Sequence, residues 1–133
     1  MSISITKLFE FEAAHCLPKH EGKCKNLHGH RYQLEVEVGR EKLDELILDG
    51  PSEGMVMDFG DLKKIVQNEV IEKLDHRDLN EVFESLEIDK QATAENLILW
   101  IVRILKESFA KRGIYLVRVR LWETSTSFAE WWA

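Results

Sequence analysis

Proline and cysteine are both scarce, at two residues each in 133. No stretch rich in proline, glycine or serine marks a linker, so one domain spanning residues 1–133 is expected. The two thiols, Cys16 and Cys24, are too few for a disulfide framework and are expected to be reduced. No apolar run approaches the ~20 residues that a membrane-spanning helix needs, so no membrane partner is expected. The opening MSISITKLFEFEAAH alternates instead of forming the charged-then-apolar block of a secretory signal, which predicts a cytoplasmic chain. Positive charge is also short, with 18 Lys and Arg against 24 Asp and Glu and a net charge of −6. That excludes a broad nucleic-acid surface, which depends on clustered cations, but leaves room for a small anion held by a few local ones.

Regular patterning is abundant. Ile3, Ile5, Phe9, Phe11 and Ala13 share one parity, as a half-buried strand requires, and His15 ends the run on the same face. From His28 to Val38 the alternation is cleaner, with His30, Tyr32, Leu34 and Val36 facing one way and Arg31, Gln33, Glu35 and Glu37 the other. Residues 39–54 form a long charged connection, and Met55–Met57 is a candidate short strand. Asp58 then caps a helix whose apolar stripe is Phe59, Leu62, Ile65, Val66, Val70 and Leu74. Thr93 caps a second helix with Leu97, Trp100, Ile101, Ile104 and Leu105 inward, and Gly113 closes it. Ile114–Glu123 returns to alternation, with Tyr115, Val117, Val119, Leu121 and Glu123 on one face. This order predicts an α+β domain, a mainly antiparallel sheet with both helices on one face. The Trp131–Trp132 pair is expected to pack on a neighbouring subunit or the sheet edge.

Histidine carries the first chemical signal. His28 and His30 lie two apart on a strand and leave the same face, and His15 is placed to join them if the two strands pair. Three imidazoles without a fourth protein ligand suit a catalytic zinc site with an open position, whereas a polar strand start beside a core histidine is the alternative. Cys24, in a loop with Lys19, Lys23 and Lys25, is a candidate reactive thiolate, a fourth zinc ligand, or a plain loop cysteine. Asp75–His76 is either a carboxylate-oriented general base or a solvated helix end. Glu123 falls on the apolar parity, where a buried carboxylate demands a partner with adjacent N–H donors, unless the strand ends before it.

The segments FEAAH (11–15), CKNLHGH (24–30), GMVMDF (54–59), LDHRDLN (74–80), TAEN (93–96) and WET (122–124), in this order, resemble the 6-pyruvoyl-tetrahydropterin synthase family. Three residues separate Cys24 from His28. That spacing resembles the branch forming 6-carboxy-tetrahydropterin in queuosine precursor synthesis. Pyruvoyl-forming members carry a longer spacer, and a hydroxymethyl-forming branch replaces the cysteine with glutamate.

The resemblance implies the tunnelling fold, a four-stranded antiparallel sheet with two helices on one face, closing as a trimeric barrel and stacking into a homohexamer with sites between subunits. It implies zinc held by His15, His28 and His30 and acting as a Lewis acid on the substrate, 7,8-dihydroneopterin triphosphate. By the same resemblance Cys24 abstracts protons, Asp75 and His76 form its relay, Glu123 anchors the pterin, and Thr93 and Ala94 contact the ring. Lys19, Lys23, Lys25, Arg31 and Arg77 are candidates for the triphosphate. A pyruvoyl-forming enzyme or a non-catalytic zinc-stabilised pterin-binding module are the competing expectations.

Overall fold

The computed structural model describes residues 2–42 and 44–133. Strand β1 (Ile5–His15) runs antiparallel to β2 (His28–Arg40) in unbroken register from Ile5 opposite Val38 to His15 opposite His28. After the charged connection come α1 (Phe59–Val66), five π-helical residues Gln67–Ile71, and the single turn α2 (Glu72–Leu74). The chain continues through β3 (Arg77–Asp78), α3 (Leu79–Ser85), the long α4 (Ala94–Ala110), β4 (Ile114–Thr124) and β5 (Ser127–Trp132).

The α+β class stands, but the sheet has five strands in the order β3-β1-β2-β4-β5, not four, and it is mixed. β3 pairs with β1 in parallel through Ala13 and Ala14. β5 folds back on β4 and carries the terminal tryptophans along the sheet edge, where Lys106 Nζ lies 5.6 Å from the Trp131 ring centroid. Met55–Met57 is not a strand. Its backbone is engaged in turns, with the Met55 amide donating to the Ser52 carbonyl and its own carbonyl accepting from Ile47. Val56 and Met57 are buried all the same, so the apolar run tethers the connection to the core ahead of the Asp58 cap, whose carboxylate accepts from the amides of Gly60 and Asp61.

The helical stripe Leu62, Ile65, Val66, Val70 and Leu74 is buried, while Phe59 at its start is exposed. Thr93 Oγ1 accepts from the Asn96 amide, as the cap predicts, and Leu97, Trp100, Ile101 and Leu105 face inward. These helices and the inner sheet face share one core. The outer face is charged, with Arg118 and Arg120 reaching Glu35, Glu37 and Glu130 at 2.6–3.7 Å. Among the described residues no helix is long and apolar enough to cross a membrane.

Two bulges in β4 correct the expected alternation. Between Glu37–Arg118 and Val38–Leu116 the pairing advances two residues on β4 against one on β2, leaving Val117 as the extra residue. The inward face therefore switches from Ile114 and Leu116 to Val119 and Leu121, and Tyr115 is exposed, not buried. The second bulge lies between Trp122, opposite Phe128, and Thr124, opposite Ser127. Glu123 is its unpaired residue.

Candidate metal centre and active site

The β1–β2 register sets the histidine cluster. His15 and His28 are cross-strand partners, and His30 follows His28 on the same face. Ring centroids are separated by 4.6 Å (His15–His28), 5.1 Å (His15–His30) and 4.9 Å (His28–His30). One ligand atom from each lies within 4.8 Å of the other two.

Two carbonyls set the tautomers. His15 Nδ1 lies 2.7 Å from the Ala92 carbonyl, and His28 Nδ1 lies 2.7 Å from the Asn26 carbonyl. A carbonyl only accepts, so each Nδ1 carries the hydrogen and each Nε2 keeps a bare lone pair. The Nε2 atoms of His15, His28 and His30 are all buried without a protein partner. Buried polar atoms are ordinarily paired, so three convergent ring nitrogens, two of them on rings anchored through Nδ1, fit a divalent ion of the kind imidazole binds. Burial holds His30 below the usual imidazole range, with Glu123 opposing and the neighbouring imidazoles reinforcing the shift. The ring is therefore neutral at pH 7, as a ligand must be. Glu123 Oε1 stands 3.7 Å from His30 Nε2, too far for a hydrogen bond.

Glu123 also borders a cleft of about 520 Å³ between the start of α4 and the β4–β5 hairpin, lined by Ala94, Ile98, Phe128 and Trp131 among others. Ala94 thus meets Glu123 across one cavity, while the Thr93 hydroxyl is engaged in the helix cap. Cys24 sits half-buried in a 3₁₀ turn (Lys23–Lys25), its carbonyl accepting from the Leu17 amide. Among the described residues the metal-binding group contains the three histidines and not Cys24.

Asp75 and His76 are joined to each other. Asp75 Oδ1 accepts from the Glu12 amide and from His76 Nδ1, both at 2.9 Å. The His76 amide donates to the Glu12 carbonyl, and His76 adopts φ +59°. That left-handed conformation is costly for a residue with a Cβ and is held by this two-sided clamp. The largely exposed imidazole presents Nε2 3.7 Å from Glu12 Oε2, and Glu12 leaves the face opposite Phe11 and Ala13. The Asp75–His76 pair thus lies beside Glu12, and the cleft that His76 borders also touches His30.

The Glu12 amide, together with His76, holds the Asp75 carboxyl below the usual carboxylate range despite opposing burial. A depressed carboxyl stabilises the fold above its unfolded value near ~4 and loses that contribution as pH falls through the folded value. Asp75→Asn is therefore expected to lower Tm at pH 7 and to converge on wild type once pH falls below the folded-state value. A Tm difference independent of pH in thermal scans would contradict this account.

The second layer is less visible in the sequence. Asn80 clamps Cys16 in both directions, accepting from its amide and donating to its carbonyl at 2.9 Å. Ala92 orients His15 across 77 residues of chain, a relation no local pattern carries. Asn26, two residues before His28, could have been found from its position alone.

Comparison with known proteins covers nearly the whole chain. The family described as 6-pyruvoyl tetrahydropterin synthase matches residues 4–133. A 6-carboxy-5,6,7,8-tetrahydropterin synthase of Haemophilus influenzae is 34% identical, covering 96% of each chain. The protein of the same description from Synechocystis is 42% identical over 97% of this chain and 92% of its own. Among solved structures, Caenorhabditis elegans 6-pyruvoyl tetrahydropterin synthase superposes with a TM-score of 0.79 at 26% identity, covering 98% of this chain and 95% of that one. The similarity runs through β1, β2 and the β4–β5 hairpin without omitting any part of the site, and the chain belongs to the 6-pyruvoyl tetrahydropterin synthase family.

Proposed function

We propose that this protein is a zinc-dependent 6-carboxy-5,6,7,8-tetrahydropterin synthase. It would convert 7,8-dihydroneopterin triphosphate and water to the carboxy-tetrahydropterin, acetaldehyde and triphosphate, supplying a precursor of queuosine. The carrying observation is the trio of buried, unpartnered Nε2 atoms, with the His15 and His28 rings anchored through Nδ1 and Cys24 outside the group. Relatives named for this reaction, at 34% and 42% identity, support the same reading.

His15, His28 and His30 would hold zinc, which when bound supplies a Lewis acid for the side-chain oxygens of the substrate. Glu123, at its bulge and bordering the cleft with Ala94, accepts hydrogen bonds from the amino group and ring N–H of the pterin, and the backbone at Thr93–Ala94 borders the ring. A carboxylate offering two acceptors to two adjacent donors fixes ring orientation as well as affinity. Cys24, flanked by Lys23 and Lys25, takes a proton from side-chain carbon, the thiolate being the reactive form.

The Asp75–His76 pair serves as its relay, and the partner thiol belongs to a neighbouring copy. Three copies closing a barrel and two such rings forming a hexamer provide that neighbour and pair the free sheet edges. Arg31 and Arg77, which border a second cleft with His76, are placed for triphosphate oxygens near that pair.

The test is product identification with zinc-loaded protein and 7,8-dihydroneopterin triphosphate. Acetaldehyde and a carboxy-tetrahydropterin in equal amounts are expected. A pyruvoyl product without acetaldehyde would assign the elimination reaction instead. No turnover by zinc-loaded protein would leave a pterin-binding module.

A further inference from the structure

Four buried side-chain polar atoms lack a partner among the described residues. Three are the Nε2 atoms of the histidine cluster, and the fourth is the hydroxyl of Tyr32. Tyr32 follows His30 by two residues on the same face of β2 and is wholly buried. Its ring stacks on Phe11, its partner on β1, with centroids 4.9 Å apart and planes 8° from parallel. It stands edge-to-ring against His30 at 5.6 Å and His15 at 6.3 Å. The residues that carry the unpartnered polar atoms thus have neighbouring rings.

Packing does not account for this hydroxyl. A phenylalanine would stack on Phe11 equally well and avoid burying an unpaired donor, which is destabilising. Stacking also fixes the ring, so the hydroxyl does not escape to water by a rotamer change in so dense a core. A phenol without a protein partner, on a ring beside the three-histidine group, is matched to something that arrives with the ligand. The pterin ring is already matched by Glu123. Among the acceptors on such a substrate, the oxygens of its hydroxylated side chain are those that in the proposed reaction must lie at the histidine centre.

We propose that Tyr32 is a further substrate-contacting residue, its hydroxyl held as a donor for the side-chain oxygens of the pterin. This rests on the pterin reading above and extends it from ring recognition to side-chain recognition.

The experiment compares wild type and Tyr32→Phe, both zinc-loaded and with zinc content measured, by fluorescence titration with two probes. Neopterin carries the trihydroxypropyl side chain, and unsubstituted pterin lacks it. The expected result is about tenfold weaker neopterin binding by the variant, the loss of one good hydrogen bond. Pterin affinity and zinc content stay unchanged, and metal-free Tm is equal to or above that of wild type. Equal neopterin affinities would overturn the proposal. So would a loss of zinc, or a metal-free Tm several degrees lower, because either would assign the hydroxyl a structural role. Failure of zinc-loaded wild type to bind either probe would instead overturn the pterin reading beneath it, and the wild-type titration alone reveals that outcome.

Discussion

Replacing His28 by alanine is expected to abolish stable zinc binding and reduce turnover to background. His28 is only half-buried, so the substitution removes a ligand nitrogen without opening a large core cavity, unlike the same change at fully buried His15. Partners outside a ligand shell already contribute about 10–100-fold to metal affinity, and removing a direct ligand should exceed the upper end of that range. Stability supplies a second readout. A ligand present at about a hundred times its Kd stabilises the folded state by ~2.7 kcal/mol. Wild type should therefore lose several degrees of Tm when a chelator is added, whereas His28→Ala should not respond. Undiminished zinc stoichiometry in His28→Ala would move the metal away from the cluster at the β1–β2 ends.

Cys24→Ala is expected to separate metal from chemistry. Removing a general base typically costs about 10²–10⁴-fold in rate, and that loss should fall on kcat with zinc content unchanged. The 3₁₀ turn carrying Cys24 is held by backbone hydrogen bonds, including Leu17 to Cys24 and Asn26 to Lys23, so the loop should survive the substitution. Metal analysis and steady-state kinetics on the same preparation give the answer. If zinc and a substantial part of the thermal stability disappear together, the thiol is a fourth ligand and the centre is structural, because a closed tetrahedral shell leaves no position for substrate.

The part of this site legible in the sequence is the part set by strand alternation. Two residues per repeat place His28 and His30 on one face whatever lies around them, and two paired strands bring His15 opposite. The caps at Asp58 and Thr93 were legible for a similar reason, since each satisfies amides two or three residues away.

What depended on partners was not legible. A bulge is a property of two strands at once, so nothing within Ile114–Glu123 reveals that Val117 is the extra residue or that Tyr115 faces out. Glu123 lies on the expected face, but its position depends on the second bulge, which exists only because β5 returns along β4. That strand has no boundary of its own in the sequence because only two residues, Ser125 and Thr126, separate it from β4. Six residues ending in two tryptophans show no clear alternation. The two-residue β3 has no pattern at all, yet it positions Asp75 and His76 beside Glu12. Their placement follows from that pairing and could not be read from the Asp-His dipeptide.

X-ray absorption at the zinc edge of the purified, fully loaded protein tests the central claim most directly. Three-histidine coordination with Cys24 outside the shell predicts one zinc per chain with only nitrogen and oxygen neighbours, at about 2.0–2.1 Å. A sulfur neighbour at about 2.3 Å would place the thiol on the metal and contradict both the open site and the role proposed for Cys24.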